Sequence, residues 1–232
     1  MRLLRLEGVP IYRQLQIEEA LLRADEGDWC LINTGAPPAI VMGISGNEEE
    51  LLHREAVSRH GIPIIRRYSG GGTVVVDEET LFITLIGSSA LLEGPCFPEP
   101  IMRWAEGLLA PVIPGLKLRE NDFVIGERKV AGNAQYIRKG RFCHHLTLLW
   151  DYSEERMATL KLPKRRPTYR ADRDHGSFLT RLKEYLPSKE ALLKTLEEHL
   201  SARFGSTSVP LAAVEPLLAC PHRQSTRYVL LQ

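Results

Sequence analysis

The spacing of apolar residues divides the chain into helical and extended stretches. Over residues 15–24 (LQIEEALLRA), Leu15, Ala20, Leu21 and Leu22 are apolar while Glu18, Glu19 and Arg23 are polar, which predicts an amphipathic helix. Residues 29–34 (WCLINT) and 39–44 (AIVMGI) are short apolar runs separated by Gly35-Ala36-Pro37-Pro38, and read as two strands and a loop. A charged helix is predicted over 48–60, with Gly61 placed to end it. Three glycines, Gly70 to Gly72, then lead into TVVV (73–76), a turn at Asp77-Glu78-Glu79-Thr80 and LFITLI (81–86), a pattern that predicts a β-hairpin.

A helix over 98–109 follows, closed by Pro111. Two more hairpins are predicted, 122–125 with 128–131 about Gly126-Glu127, and 134–138 with 141–150 about Lys139-Gly140. Residues 163–174 (PKRRPTYRADRD) form a basic, proline-containing loop. A last helix spans 188–204, with Ser188 as its N-cap, Leu192, Leu196 and Leu200 on one stripe, and Gly205 just past its end. From Val209 onward the pattern fades. No repeat is present, and this order of elements predicts an α+β fold, a mainly antiparallel sheet with helices on one side.

Length and charge narrow the picture. The 232 residues fit one domain, 1–232, with 205–232 as a short tail, and can bury a sizeable core without cross-links. A formal net charge of +1 predicts neither nucleic acid nor a membrane surface as partner. The four cysteines, Cys30, Cys96, Cys143 and Cys220, include no C-x-x-C pair, which fits free thiols in a reducing, cytoplasmic setting. The opening MRLLRLEGVPI lacks the apolar stretch of a signal peptide, and no run reaches the ~18 apolar residues of a membrane span.

Three clusters carry candidate chemistry. In Arg66-Arg67-Tyr68-Ser69-Gly70-Gly71-Gly72-Thr73, the glycines form either an exposed flexible turn or a loop whose amides close on an anion. The adjacent arginines favour the second, because guanidinium groups hold phosphates bidentately. In Asn121-Asp122 with Lys129-Val130-Ala131-Gly132-Asn133-Ala134, a strand lysine among small residues could neutralise a phosphate or a developing oxyanion, and Asp122 could orient it or hold Mg²⁺. A surface lysine on a hairpin is the plainer alternative. Of His144 and His145, alternation lets at most one point into a site, and Cys143 beside them is either a nucleophile or an inert strand thiol.

The clusters occur in one order that resembles the lipoate-protein ligase family. Residues 66–74 with Asp77 resemble its RRxSGGGxVxHD signature, Asn121-Asp122 with 128–135 its ND…RK[VI]xGxA segment, and 144–149 its HHGTLL segment. The stretch 16–22 looks like the family's first helix, and Tyr169-Arg170 with 178–182 is similar to a region before its last helix. The resemblance spans residues 15–204 and implies a mixed sheet flanked by helices. It implies an enzyme that activates lipoate with ATP and Mg²⁺ to lipoyl-adenylate, then passes the acyl group to a lysine of an acceptor lipoyl domain. Such acceptors are a 2-oxoacid dehydrogenase E2 or a glycine cleavage H protein.

On that resemblance Lys129 and Asp122 are the catalytic pair, with Asp122 also a Mg²⁺ candidate. Arg67, Ser69, Gly70, Gly71, Gly72, Thr73, Asp77, Asn121, Gly132, Ala134 and His145 would contact substrate or adenylate. Val76 stands where the family has a histidine, Leu146 where it has a glycine, and Tyr136 where a polar residue is usual. About 28 residues follow Phe204, whereas long bacterial ligases carry a further domain there, so an accessory subunit is an expected partner. Two alternatives stand beside this reading: an octanoyltransferase using a cysteine and a thioester, and a non-catalytic acyl-binding subunit.

Overall fold

The computed structural model describes residues 1–164 and 166–230. In chain order the elements are β1 (Arg2–Glu7), α1 (Ile11–Ala24), β2 (Trp29–Thr34), β3 (Ala39–Met42), α2 (Glu48–Leu51), α3 (Arg54–His60), β4 (Ile64–Arg66), β5 (Val74–Val76) and β6 (Thr80–Ser88). They continue with α4 (Pro98–Leu109), β7 (Leu116–Arg119), β8 (Asp122–Ile125), β9 (Arg128–Arg138), β10 (Arg141–Leu149), α5 (Glu154–Met157) and α6 (His175–Phe178). The last are α7 (Lys189–Phe204), β11 (Thr207–Ser208), α8 (Glu215–Ala219) and β12 (Arg227–Val229).

The fold is α+β, with a large mixed sheet in the order β11-β1-β2-β6-β10-β9-β8-β7 and a small one in the order β12-β4-β3-β5. Among the described residues, only β11-β1-β2 in the large sheet and β3-β4 in the small one run parallel. Strand alternation sorts side chains between two cores. Ile83, Leu85, Phe142 and Leu146 join α4 and α7 on one face. Phe82, Ile86 and Cys143 join α1, Val41 and Val76 on the other. Helices therefore cover both faces of the large sheet rather than the single side that element order suggests.

The first predicted hairpin does not form. Strand β5 pairs only with β3, and β6 pairs with β2 and β10. The chain turns a corner at Asp77, where Thr80 N donates to Asp77 O, and again at Gly35, with φ +73. A Cβ at Gly35 would stand 2.7 Å from the Glu78 carbonyl, so the two corners interlock only without a side chain there. The helix expected over 48–60 is broken, because Leu52 bridges Leu160 and His53 N donates to Thr159 O. The two later hairpins share one continuous strand, β9.

The predicted ends of the last helix are found: Ala191 N donates to Ser188 Oγ at 3.1 Å, and Gly205 closes it with φ +57. The segment after it is built into the body. Strand β11 extends the large sheet beside β1, β12 extends the small sheet beside β4, and α8 lies against α1. Glu19 anchors this segment by accepting from the amides of Ser225 and Thr226. Among the described residues, no helix is long and apolar enough to cross a membrane. Arg165, in the basic loop, and Leu231-Gln232 lie outside the described residues.

Candidate functional site

A bulge sets the site. Phe123 lies opposite Ala131 and Val124 opposite Lys129, so Val130 is an extra residue in β9. Val130 and Ala131 are both buried on the α4 side. Lys129, Gly132 and Ala134, which strict alternation would split between faces, all reach one cleft. That cleft has an outer chamber of about 670 Å³ and an inner one of about 100 Å³. Thr73, Lys129, Gly132 and Ala134 line both. A Cβ on Gly132 would come within 2.6 Å of Thr147 Oγ1 and 3.0 Å of Val74 Cγ1, so the shared wall requires glycine.

Lys129 Nζ lies 2.5 Å from Asp122 Oδ1, and Tyr169 OH donates to Asp122 Oδ2 at 2.9 Å. The backbone amides of Thr168 and Tyr169 donate to Glu120, which pins the basic loop over this pair. Asn121 lines the outer chamber, and its carbonyl accepts from Asn133 Nδ2 at 2.7 Å. One Asp122 oxygen pairs with Lys129 and the other accepts from Tyr169, which leaves each oxygen a further lone pair.

The glycine loop is built around Arg67. Its Nη2 donates to Gly70 O at 2.5 Å and Gly72 O at 2.8 Å, and its Nε to Ser69 Oγ at 3.0 Å. Burial pulls its pKa down to about 10 despite the opposing Glu18, so it stays charged at neutral pH. Arg66 is spent on Glu48 and on the Ile44 and Gly46 carbonyls. Neither arginine is thus available as a phosphate fork; Arg67 clamps the loop and borders the inner chamber, which leaves its other expected role, shaping the acyl channel. Gly71 has φ +92 and abuts Gly43, where a Cβ would meet the Gly71 carbonyl at 2.2 Å. Among the described residues, the amides of Gly70, Gly71 and Gly72 have no hydrogen-bond acceptor, while Gly71 and Gly72 line the outer chamber.

Neither Ser69 nor Gly70 is on the lining of either chamber, and Ser69 is fully buried. Asp77 is elsewhere. It caps the β5–β6 corner by accepting from Glu79 N and Thr80 Oγ1, and it pairs with Arg156. It contacts neither chamber, so its expected substrate contact is replaced by a structural one. Of the histidine pair, His145 borders the inner chamber. His144 points into the opposite face beside Phe123, and burial, with His145 adding to it, pushes its pKa down to about 3.

Several site residues escape the sequence reading. Glu18 falls on the stripe Ile11-Leu15-Leu22 of α1 at helical spacing, so a carboxylate at an apolar position was its signal. It is completely buried. Burial would raise its pKa, but His145, Thr84 and Gln14 outweigh this and hold it below the usual carboxylate range. Arg170 and His175 line the outer chamber. Among the described residues, Arg170 Nη2 and Thr73 Oγ1 are buried without a hydrogen-bond partner. Burial, then the Arg170 and Lys129 charges, push the His175 pKa down to about 4 against the pull of Asp174.

No cysteine borders either chamber. Cys143 is sealed under Tyr68, whose OH donates to Sγ at 3.1 Å. Burial and the Glu18 charge raise its pKa well above the ordinary thiol value, the opposite of an activated nucleophile.

The inner chamber is narrow and mainly apolar, and Lys129 and the glycine loop stand on its lining. Residues 10–205 match the Lipoyl protein ligase A/B catalytic domain. The chain belongs to that family, and so to the class of lipoate ligases and acyltransferases. It is 31% identical over 157 residues to the lipoate-protein ligase LplJ of Bacillus subtilis, covering 66% of this chain and 46% of LplJ. It is 24% identical over 204 residues to the octanoyltransferase LipM of Geobacillus kaustophilus, covering 71% of this chain and 72% of LipM. The chain thus spans about half the length of LplJ.

Two solved structures share the fold. A bi-partite lipoate protein ligase of Thermoplasma acidophilum, determined with its E2 lipoyl domain, has a TM-score of 0.76 and 20% identity, over 94% of this chain and 90% of that one. A lipoate-protein ligase A bound with ATP has a TM-score of 0.73 and 19% identity, over 94% and 92%.

Proposed function

We propose that this chain, acting as one catalytic domain, is an ATP-dependent lipoate-protein ligase. The observation that carries the reading is Lys129 at the junction of the two chambers. The inner chamber, with Ile11, Leu15, Val76 and Phe82 on its walls, suits an aliphatic acyl chain, each buried methylene contributing ~0.8 kcal/mol. The outer chamber suits an adenylate: Thr73 and Arg170 are on its lining, and among the described residues Thr73 Oγ1 and Arg170 Nη2 are buried donors without partners, groups of the kind that phosphate oxygens satisfy.

In the first step a lipoate carboxylate oxygen bonds to the α-phosphorus of ATP and pyrophosphate departs. In the second, the amine of an acceptor lysine bonds to the acyl carbon, AMP departs, and the amine loses a proton. Lys129 faces the oxygen that gains charge in both steps, while the free amides of Gly71 and Gly72 offer a second set of donors. Any Mg²⁺ would arrive with the nucleotide, and Lys129 supplies fixed positive charge in its place at Asp122.

A cysteine-thioester route is disfavoured because no thiol reaches the cleft. The acceptor is inferred to be a lipoyl domain of the E2 or H-protein kind. Mass spectrometry of an apo lipoyl domain tests the reading, with lipoate, ATP and Mg²⁺ in one reaction and lipoyl-adenylate in another. Modification in both supports a self-sufficient ligase. Modification with adenylate alone points to an accessory subunit for the first step, and modification in neither refutes the proposal.

A further inference from the structure

A buried line of hydrogen bonds joins α1 to the glycine loop. Glu18 Oε2 lies 2.9 Å from His145 Nδ1, and His145 Nε2 lies 2.6 Å from Ser69 Oγ. Ser69 Oγ in turn accepts from Arg67 Nε at 3.0 Å, and Arg67 holds the carbonyls of Gly70 and Gly72. Glu18, Arg67 and Ser69 are all buried, and the His145 side chain is 11% exposed.

An ionised Glu18 can only accept, so His145 Nδ1 carries the proton of that bond. In the neutral imidazole Nε2 accepts from the Ser69 hydroxyl, whose oxygen is free to accept from Arg67. Glu18 is itself fixed by Thr84 Oγ1 at 2.6 Å and Gln14 Nε2 at 2.8 Å on its other oxygen. Arg67 Nε is shared between Ser69 Oγ and the Gly70 carbonyl at 3.1 Å, and the line runs from a buried cation to a buried anion.

The Ser69, His145 and Glu18 side chains have the spacing of a hydrolase triad, but Ser69 Oγ is sealed and its lone pair is held by Arg67. Nucleophilic attack by Ser69 is therefore excluded by access, and the line must serve geometry. We propose that Glu18 is a positioning residue for acyl transfer, acting through His145, Ser69 and Arg67 to fix the glycine-loop amides that face the acyl carbonyl. The acyl-transfer part rests on the function proposed above; the coupling of Glu18 to the loop does not.

Glu18→Gln keeps the shape but replaces an acceptor with an NH₂ group. If that group faces His145, the imidazole must switch tautomer and the Ser69 hydroxyl proton loses its acceptor. The test uses the full chain. Histidine side-chain ¹⁵N NMR is expected to show His145 as the Nδ1–H tautomer in the wild type and altered in Glu18→Gln. Conformational exchange of residues 70–72, read by ¹⁵N relaxation dispersion, is expected to increase in Glu18→Gln, with α7 unchanged as internal reference.

In transfer from lipoyl-adenylate, kcat is expected to fall about 10- to 100-fold with KM within about threefold. Ser69→Ala, which cuts the line at another point, should reproduce the loop exchange and the kcat loss. An Nε2–H tautomer in the wild type, or unchanged loop exchange in both folded variants, overturns the proposal. Wild-type inactivity with lipoyl-adenylate, alongside the expected NMR and exchange results, refutes the ligase reading and leaves the coupling standing.

Discussion

Lys129→Met is the most informative single change. Methionine fills nearly the same space, so the substitution removes charge and three donors with little change in packing. The Lys129 side chain is 23% exposed and that of Asp122 8%, so their pair is partly screened. Breaking a fully buried pair costs about 3–5 kcal/mol. Here the remaining contact from Tyr169 OH and the partial exposure reduce the expected loss to about 1–3 kcal/mol. The kinetic loss should be larger, since removing one donor at a developing oxyanion costs about 10²–10³ in rate, about 3–4 kcal/mol.

The two effects separate in a cycle. Adding Asp122→Asn to Lys129→Met neutralises the stranded carboxylate and should recover most of the stability but none of the rate. Single-turnover transfer from lipoyl-adenylate to an apo lipoyl domain, followed by mass spectrometry, gives the rate. Urea unfolding gives the stability. A folded Lys129→Met protein that transfers within about threefold of wild type would falsify the role assigned to the lysine. Recovery of rate in the double variant would show that the lysine only balances Asp122.

Three further outcomes are expected. Gly43→Ala places a methyl 2.2 Å from the Gly71 carbonyl, so the loop must move; a stability loss of about 1–3 kcal/mol and weakened adenylate binding by calorimetry should follow, and wild-type affinity would show that the loop tolerates displacement. Cys143→Ala should transfer acyl groups within about threefold of wild type, because its thiol is sealed under Tyr68, and iodoacetamide should spare Cys143 in the folded chain. The His144 pKa lies near 3 when folded and near 6.5 when unfolded, so its share of stability is complete above 6.5 and is lost as pH falls through that window. From pH 7 to pH 5 the loss should be about 2 kcal/mol by urea unfolding and should shrink in His144→Gln; an equal loss in that variant would assign the effect to other groups.

Local sequence determined those parts of the protein whose causes are local. Ser188 and Gly205 bound the last helix because a hydroxyl cap and a left-handed glycine act within one turn. The glycine loop and the 128–135 segment were legible because glycine and lysine are unusual choices in strands and their flanks. Residue type could not reveal where the strands would pair. Val74–Val76 and Thr80–Ser88 look like a hairpin in sequence, and separate because β3 and β2 supply different partners on either side of the Gly35 corner. The contribution of Glu18 was hidden by its polarity: it reads as solvent-facing until Thr84, His145 and Gln14, from three elements, surround it.

Asp77 shows the reverse. Its place beside the glycine motif suggested substrate, but the corner and Arg156 claim its oxygens. Lys129 shows the same division at its sharpest. Its chemistry was evident from its neighbours in sequence, yet its direction depends on the extra residue Val130, which rotates it onto the face of Gly132 and Ala134. A bulge is a property of two strands in register, so the sequence determined which ammonium was available, and only the tertiary structure decided that it faces the cleft.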